Sequence, residues 1–219
     1  MHRTIGQPRI RLRFTCTALV ATSALAGCVT AGVPYPSGVP PMTVNPATAG
    51  PVSGVGIESQ DIISMTDKMV RDMLANPTLA ARKTPPRVVI DSRYFRNEGS
   101  QPINRDLITN RLMVELNRAA NGRMIFLTRT NLGMVQKERE LKRSGVTDVG
   151  TTGMTKALAG ADYRLTGEIA TLDERDVRTG MIERYNQITF EMIDLETGQI
   201  VWSGQYQFER AADDDVMYR

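Results

Sequence analysis

Histidine and cysteine are almost missing from this 219-residue chain, which contains one histidine and two cysteines. His2, Cys16 and Cys28 all lie within the first 28 residues. A folded region without these side chains has no imidazole general base, no Cys–His nucleophile, no disulfide framework and no imidazole or thiolate ligand for zinc or copper. Carboxylates, lysine, tyrosine, serine and threonine remain. We therefore expect neither an enzyme nor a cofactor or metal site.

Acidic residues are missing from residues 1–27, which carry four arginines followed by a mostly small, apolar stretch over residues 14–24. This order of basic region, apolar region and small-residue cleavage site is typical of a secretory signal. The apolar stretch is shorter than the roughly 20 residues that a membrane-spanning helix needs. We expect residues 1–27 to be removed on export.

Leu25-Ala26-Gly27-Cys28 closes this leader and resembles the bacterial lipobox. The resemblance implies cleavage after Gly27, a diacylglycerol thioether on Cys28 and acylation of the new amino terminus. Val29 follows where an Asp would signal retention at the inner membrane, so the resemblance implies an outer-membrane destination. The alternative is a plain secreted protein in which Cys28 is a spare thiol.

The formal charge of +3 is misleading, because the leader supplies four of the 27 basic residues and none of the 24 acids. Without residues 1–27 the formal charge is about −1, so we expect no nucleic-acid partner. Residues 29–56 contain no Lys, Arg, Asp or Glu, but six prolines and five glycines. Residues 28–56 are therefore predicted to be a lipidated cysteine and a disordered tether, or else a spacer of no required length.

Periodicity beyond residue 56 predicts an α+β (mixed α/β) fold, a single domain over residues 57–210 with helices packed on a mainly antiparallel sheet. An acidic tail is expected over residues 211–219. Four helices are predicted. The first has Ser59 as its N-cap and ends at Asn76-Pro77, and the second is capped by Asn104 and ends at Asn121-Gly122. The third covers residues 131–143, and a short fourth helix covers residues 154–159. The predicted strands are Arg87 to Asp91, Met124 to Leu127, and three alternating strands around 163–169, 188–192 and 200–208, the last two joined by a turn at Gly198.

Two stretches, GADYRLTGEI (160–169) and FEMIDLETGQIVW (190–202), resemble the LpoB family of outer-membrane lipoproteins, which activate bifunctional penicillin-binding proteins. The resemblance covers roughly residues 85–209. It implies a domain that docks on a peptidoglycan synthase and stimulates glycan polymerisation and crosslinking without catalysis of its own. The same stretches also resemble TolB-amino-terminal-like domains and the curli secretion lipoprotein.

Exposed aromatic and arginine side chains dominate protein interfaces, and Arg93, Tyr94, Phe95 and Arg96 form the densest such cluster in the sequence. We predict a partner-docking patch there. The alternative is that Tyr94 and Phe95 close the edge of the core.

Four other groups of residues have the composition of a functional site, and each also has a simpler explanation as solvated charge or loop. The groups are Asp173, Glu174 and Asp176 for glycan hydrolysis, Asp213 to Asp215 for a hard cation, Thr151-Thr152-Gly153 for an anion, and Arg123, Arg129, Arg139 and Arg143 for an interaction face.

We expect an outer-membrane lipoprotein, monomeric and facing the periplasm, that activates a bifunctional penicillin-binding protein. The alternatives are a structural or secretion-related lipoprotein of the same domain type and, as a third class, a glycan hydrolase.

Overall fold

A computed structural model of the chain describes residues 41–213. Of these, residues 43–213 belong to one compact unit, Thr43–Arg219. The predicted signal, the anchor Cys28, the tether up to residue 40 and residues 214–219 of the predicted tail lie outside the described residues. None of the described helices is long and apolar enough to cross a membrane.

Residues 41–213 contain four helices and five strands, which confirms the α+β class. The helices are α1 (Ser59–Ala75), α2 (Pro77–Ala80), α3 (Arg105–Ala120) and α4 (Leu132–Arg143). The strands are β1 (Arg87–Asn97), β2 (Ile125–Leu127), β3 (Tyr163–Arg175), β4 (Ile182–Asp194) and β5 (Ile200–Ala212).

The five strands form one sheet in the order β2-β1-β3-β4-β5. β1 pairs in parallel with β2 and β3, whereas β3, β4 and β5 form a long antiparallel meander. The β4–β5 turn contains Gly198 at φ 74°, and the Asp194 carboxylate accepts hydrogen bonds from the amides of Glu196 and Thr197. The sheet is mainly antiparallel by paired residues, as predicted.

Helices α1 and α3 pack on one face of this sheet and on each other. Cross-strand partners such as Leu165 with Met192, and Ile169 with Ile188, point into that core. Met65, Met69 and Met73 of α1 form a stripe on one face of that helix and are buried in this core. The opposite face of the sheet is polar, and we call it the open face.

Local signals set both ends of α3 and the end of α1, as predicted. The Asn104 side chain accepts from the amides of Asp106 and Leu107, and Asn121 ends α3 in the left-handed region. Asn76 ends α1 and caps α2, which begins at Pro77. The N-cap of α1 is Glu58 and not Ser59, because Glu58 and Asp61 form a reciprocal capping box.

Three further expectations differ from the structure. β1 does not stop at Asp91 but continues to Asn97 through an irregularity between Ile90 and Phe95. Residues 154–159 are loop and not helix. Within the predicted tether, residues 54–56 are buried, and the Val55 carbonyl accepts a hydrogen bond from Asn186 on β4.

Candidate docking surface

The second half of β1 sends its side chains to opposite faces of the sheet in turn, as a strand does. Phe95 points into the core, is 1% exposed and stacks on Phe190 with ring centroids 5.3 Å apart. Tyr94 is 45% exposed. Phe95 therefore closes the edge of the core, which is the alternative to a docking role, whereas Tyr94 and Arg96 lie at the surface.

The exposed members of the predicted docking cluster each contact a charged residue. The Arg164 guanidinium lies over the Tyr94 ring, 4.0 Å from its centroid, and Arg96 forms an ion pair with Glu168. Arg164 and Glu168 both belong to β3, so this strand holds the side chains of β1 in place. Such contacts orient an arginine before a partner arrives, which reduces the entropy lost on binding.

Arg93 binds a different carboxylate, that of the buried Asp91. Its Nε and Nη2 donate to Asp91, the shortest contact being 2.6 Å from Nη2 to Oδ2. These hydrogen bonds hold the pKa of Asp91 below its usual value, against the raising effect of burial. Asp91 is thereby kept ionised, and the mostly exposed Arg93 is tied to the strand at this point.

A groove of about 310 Å³ runs along the open face beside this cluster. Its walls are polar side chains of β1, β3 and β4, namely Tyr94, Arg96, Thr166, Glu168, Gln187, Thr189 and Glu191. We call Tyr94, Arg96, Arg164 and Glu168, with this groove, the open-face patch. It presents aromatic, cationic and amide groups on a rigid sheet, a composition that suits a polar protein interface.

Sequence reasoning missed Arg164 and Glu168. The alternation over residues 163–169 places both at polar positions of a strand, but their pairing with β1 depends on the parallel β1–β3 register. That register is not readable from a local pattern, because parallel neighbours are far apart in sequence.

Two of the three carboxylates named for glycan hydrolysis, Asp173 and Asp176, accept structural hydrogen bonds. Asp173 accepts hydrogen bonds from Arg184 Nε at 2.6 Å and Nη2 at 2.8 Å, and another from Ser100. The bonds from Arg184 lower the pKa of Asp173, and hydrogen bonds from the 178–179 turn lower that of Asp176. A general acid for glycoside cleavage needs a raised pKa, so these two groups do not suit that role.

The remaining candidate residues are distributed over several places. Arg123 donates to the Ala120 carbonyl at the end of α3, and Arg129 donates to Ala159. Arg139 and Arg143 lie beside the loop that contains residues 151–153. Of the three consecutive aspartates only Asp213 is among the described residues, and within residues 41–213 no group of three His, Cys, Asp or Glu side chains is arranged to hold a metal ion.

Three comparisons relate this chain to known proteins. No curated protein matches the sequence significantly. Among solved structures, the LpoB C-terminal domain from Salmonella enterica is 17% identical, with 68% of this chain and 98% of that chain covered at a TM-score of 0.40. Lipoprotein GNA1162 from Neisseria meningitidis is 12% identical, with 60% and 88% covered at a TM-score of 0.30.

A sequence family matches most of the folded region of the chain. The sequence model described as peptidoglycan-synthase activator LpoB matches residues 61–208, which is more than half of the chain and spans α1 to β5. The chain therefore belongs to the LpoB family of peptidoglycan-synthase activators.

Proposed function

We propose that this protein is a lipid-anchored regulator in the periplasm that binds and activates a bifunctional penicillin-binding protein. The match of residues 61–208 to the family of synthase activators carries this proposal. The leader ending in Leu25-Ala26-Gly27-Cys28 supports attachment to the outer membrane through Cys28. The protein itself makes and breaks no bonds. It acts by binding the active conformation of the synthase more tightly than the inactive one.

The open-face patch is our candidate for the contact with the synthase. Tyr and Arg are the residue types that most often carry binding energy at interfaces, and here they are held by cation–π and ionic contacts on a strand whose next side chain, Phe95, is anchored in the core. Arg93 is next to Tyr94 in the chain, is exposed and is bound to Asp91. The docking role of Arg93, Tyr94 and Arg96 stays a prediction, and Phe95 contributes by fixing the strand.

The test is glycan polymerisation by purified bifunctional synthases of the same cell, with and without the fragment 43–219. This fragment contains the whole hydrophobic core of the described residues. We expect at least one synthase to be stimulated. Stimulation of none of them would refute the proposal.

The contact is tested separately with Tyr94→Ala combined with Arg96→Ala. We expect the Kd for the stimulated synthase to rise at least tenfold, because about 1.4 kcal/mol of binding energy corresponds to that factor. Val177→Ala is the control, since Val177 is almost fully exposed in the β3–β4 connection and away from the patch. Equal Kd values for the double variant and the control would remove the patch but leave the activation proposal in place.

A further inference from the structure

A second cavity, of about 180 Å³, lies between α4 and the loop over residues 144–162. One wall consists of Arg139, Lys142 and Arg143 with the apolar Val135, and the other of Thr152, Gly153, Met154 and Thr155. None of the lining residues among 41–213 is acidic. Two groups that the sequence suggested separately, the arginines of α4 and the Thr151-Thr152-Gly153 loop, thus meet in one place.

The three cations share one face of α4 because their spacing is i, i+3 and i+4. Among residues 41–213, no carboxylate lies within ion-pair distance of Arg139, Lys142 or Arg143, whereas Lys137 on the same helix pairs with Glu140. Three positive charges therefore converge without a counter-charge in the described part of the chain. The carboxyl end of α4 offsets about half a charge, which leaves more than two in excess.

The loop orients the two guanidinium groups. Arg139 donates to the Thr155 hydroxyl at 3.0 Å and to the Thr155 carbonyl at 2.9 Å, and Arg143 donates to the same carbonyl at 3.1 Å. An arginine has five N–H donors, so both keep donors for a ligand.

Lys142 has a different role, because its ammonium makes no hydrogen bond or ion pair within residues 41–213. The residue is half-buried and lies beside Gly150, where a Cβ in place of the glycine hydrogen would stand 3.3 Å from the lysine Nζ. If the basic residues served only to fix the loop, Lys142 would have no function in the cavity. Fixing the loop therefore does not explain why a positive charge is placed at Lys142.

We infer that this cavity binds a phosphate group. A phosphate carries up to two negative charges and has enough oxygens to accept from an arginine fork, a lysine and threonine hydroxyls together. Val135 and Met154 form an apolar part of the wall, which suits the organic portion of a phosphate ester. The phosphate comes either from a small soluble phosphate compound or from the headgroup of an anionic phospholipid.

The first experiment titrates the fragment 43–219 with inorganic pyrophosphate at low salt, by calorimetry and by amide NMR. We expect saturable binding that weakens as NaCl is raised, with the largest shifts at the amides of residues 152–155. Lys142→Gln should weaken binding at least fivefold. Lys137→Gln on the same helix removes an equal charge outside the cavity and should change affinity less than twofold.

The second experiment measures co-sedimentation with vesicles of phosphatidylcholine alone or with one quarter phosphatidylglycerol. Binding that requires phosphatidylglycerol and is lost in Lys142→Gln supports a lipid headgroup as the source, and pyrophosphate binding without vesicle binding supports a soluble phosphate compound. If neither probe binds, or if Lys142→Gln and Lys137→Gln behave alike with both, the inference is wrong. Thermal unfolding of both variants verifies that they are folded.

Discussion

At the scale of single residues, Gly167 decides how β1 can pack on β3. A Cβ at this position would lie 2.5 Å from the Phe95 ring and 2.7 Å from the Thr189 carbonyl oxygen. The ring stacks on Phe190 and the carbonyl belongs to the β4 backbone, so neither can move easily. Absence of a side chain at Gly167 is what allows Phe95 to lie flat against the sheet.

We predict that Gly167→Ala lowers the free energy of unfolding by about 1–3 kcal/mol, because overpacking forces the core side chains away from their preferred positions. Urea denaturation of the fragment 43–219 measures this. Gly133→Ala is the matched control, since a Cβ there meets nothing within 4 Å on α4, and it should leave stability unchanged or slightly higher. A Gly167→Ala protein as stable as the control would contradict the packing described.

Asp173 gives the fold a dependence on pH. Its pKa is lowered in the folded state by the hydrogen bonds from Arg184, relative to an ordinary value of 3.8. A lowered pKa means that the folded state favours the ionised form. The stabilisation is therefore fully present above about pH 5 and is lost as the pH falls through the folded-state pKa.

We predict that Asp173→Asn lowers the free energy of unfolding by about 1–2 kcal/mol at pH 7, because Arg184 loses one of its two hydrogen bonds and the opposite charge beside it, while solvent screens the partly exposed carboxylate. The difference from the unmodified protein should shrink below pH 4. Glu174→Gln, which changes the exposed neighbour, should shift stability by less than about 0.5 kcal/mol at either pH. A difference that is constant between pH 7 and pH 3 would count against the pair.

At the scale of elements, the segment over residues 54–57 works as part of the domain although its composition is that of a linker. Val55 and Ile57 are buried, and the backbone of Ile57 exchanges two hydrogen bonds with the Gln101 side chain. Arg210 of β5 donates to the Gly56 carbonyl and to Asp61 of α1. The segment thereby joins the start of α1 to the sheet.

We predict that a fragment beginning at Ser59 is less stable than one beginning at Thr43 by at least about 3 kcal/mol, since two buried aliphatic side chains contribute roughly 1.5–3 kcal/mol each. A fragment beginning at Ser53 is the control. It loses only residues 43–52, which are almost all exposed, and should unfold at the same urea concentration as the longer one. Equal midpoints for the fragments that begin at Ser53 and Ser59 would show that the segment is dispensable.

At the scale of the whole molecule, the proposed activity depends on attachment as well as on the domain. The chain offers a matched pair of cysteines for testing this, because Cys16 lies inside the predicted signal and Cys28 directly follows its predicted cleavage site. We predict that cells expressing the protein incorporate labelled palmitate into it, that Cys28→Ala abolishes the label and that Cys16→Ala retains it. Label that persists in Cys28→Ala would refute the anchor.

What the sequence could determine was governed by interactions between near neighbours in the chain. Helix α3 begins after Asn104 and ends at Asn121, and α1 ends at Asn76-Pro77. The alternation of apolar and polar residues over 163–169 and 200–208 identifies β3 and β5. Caps and turns satisfy backbone groups within a few residues, and the two-residue period follows from strand geometry alone. Short stretches of sequence therefore suffice to predict these features.

What only the tertiary structure decided depends on partners far away in the chain. Strand β1 continues to Asn97 because Phe95 contacts Gly167 and Phe190. The uncharged segment before α1 is buried because Asn186 and Arg210, more than 100 residues later, donate hydrogen bonds to its carbonyls. The cavity of α4 depends on contacts over shorter distances in the chain, since Arg139 and Arg143 bind Thr155, which lies 16 and 12 residues later. The sequence pointed to Tyr94 and Arg96, but their contacts with Arg164 and Glu168 depend on the sheet register, and the meeting of α4 with its loop depends on the fold. A local pattern does not specify which distant group it will pair with, so these parts of both candidate sites required the folded chain.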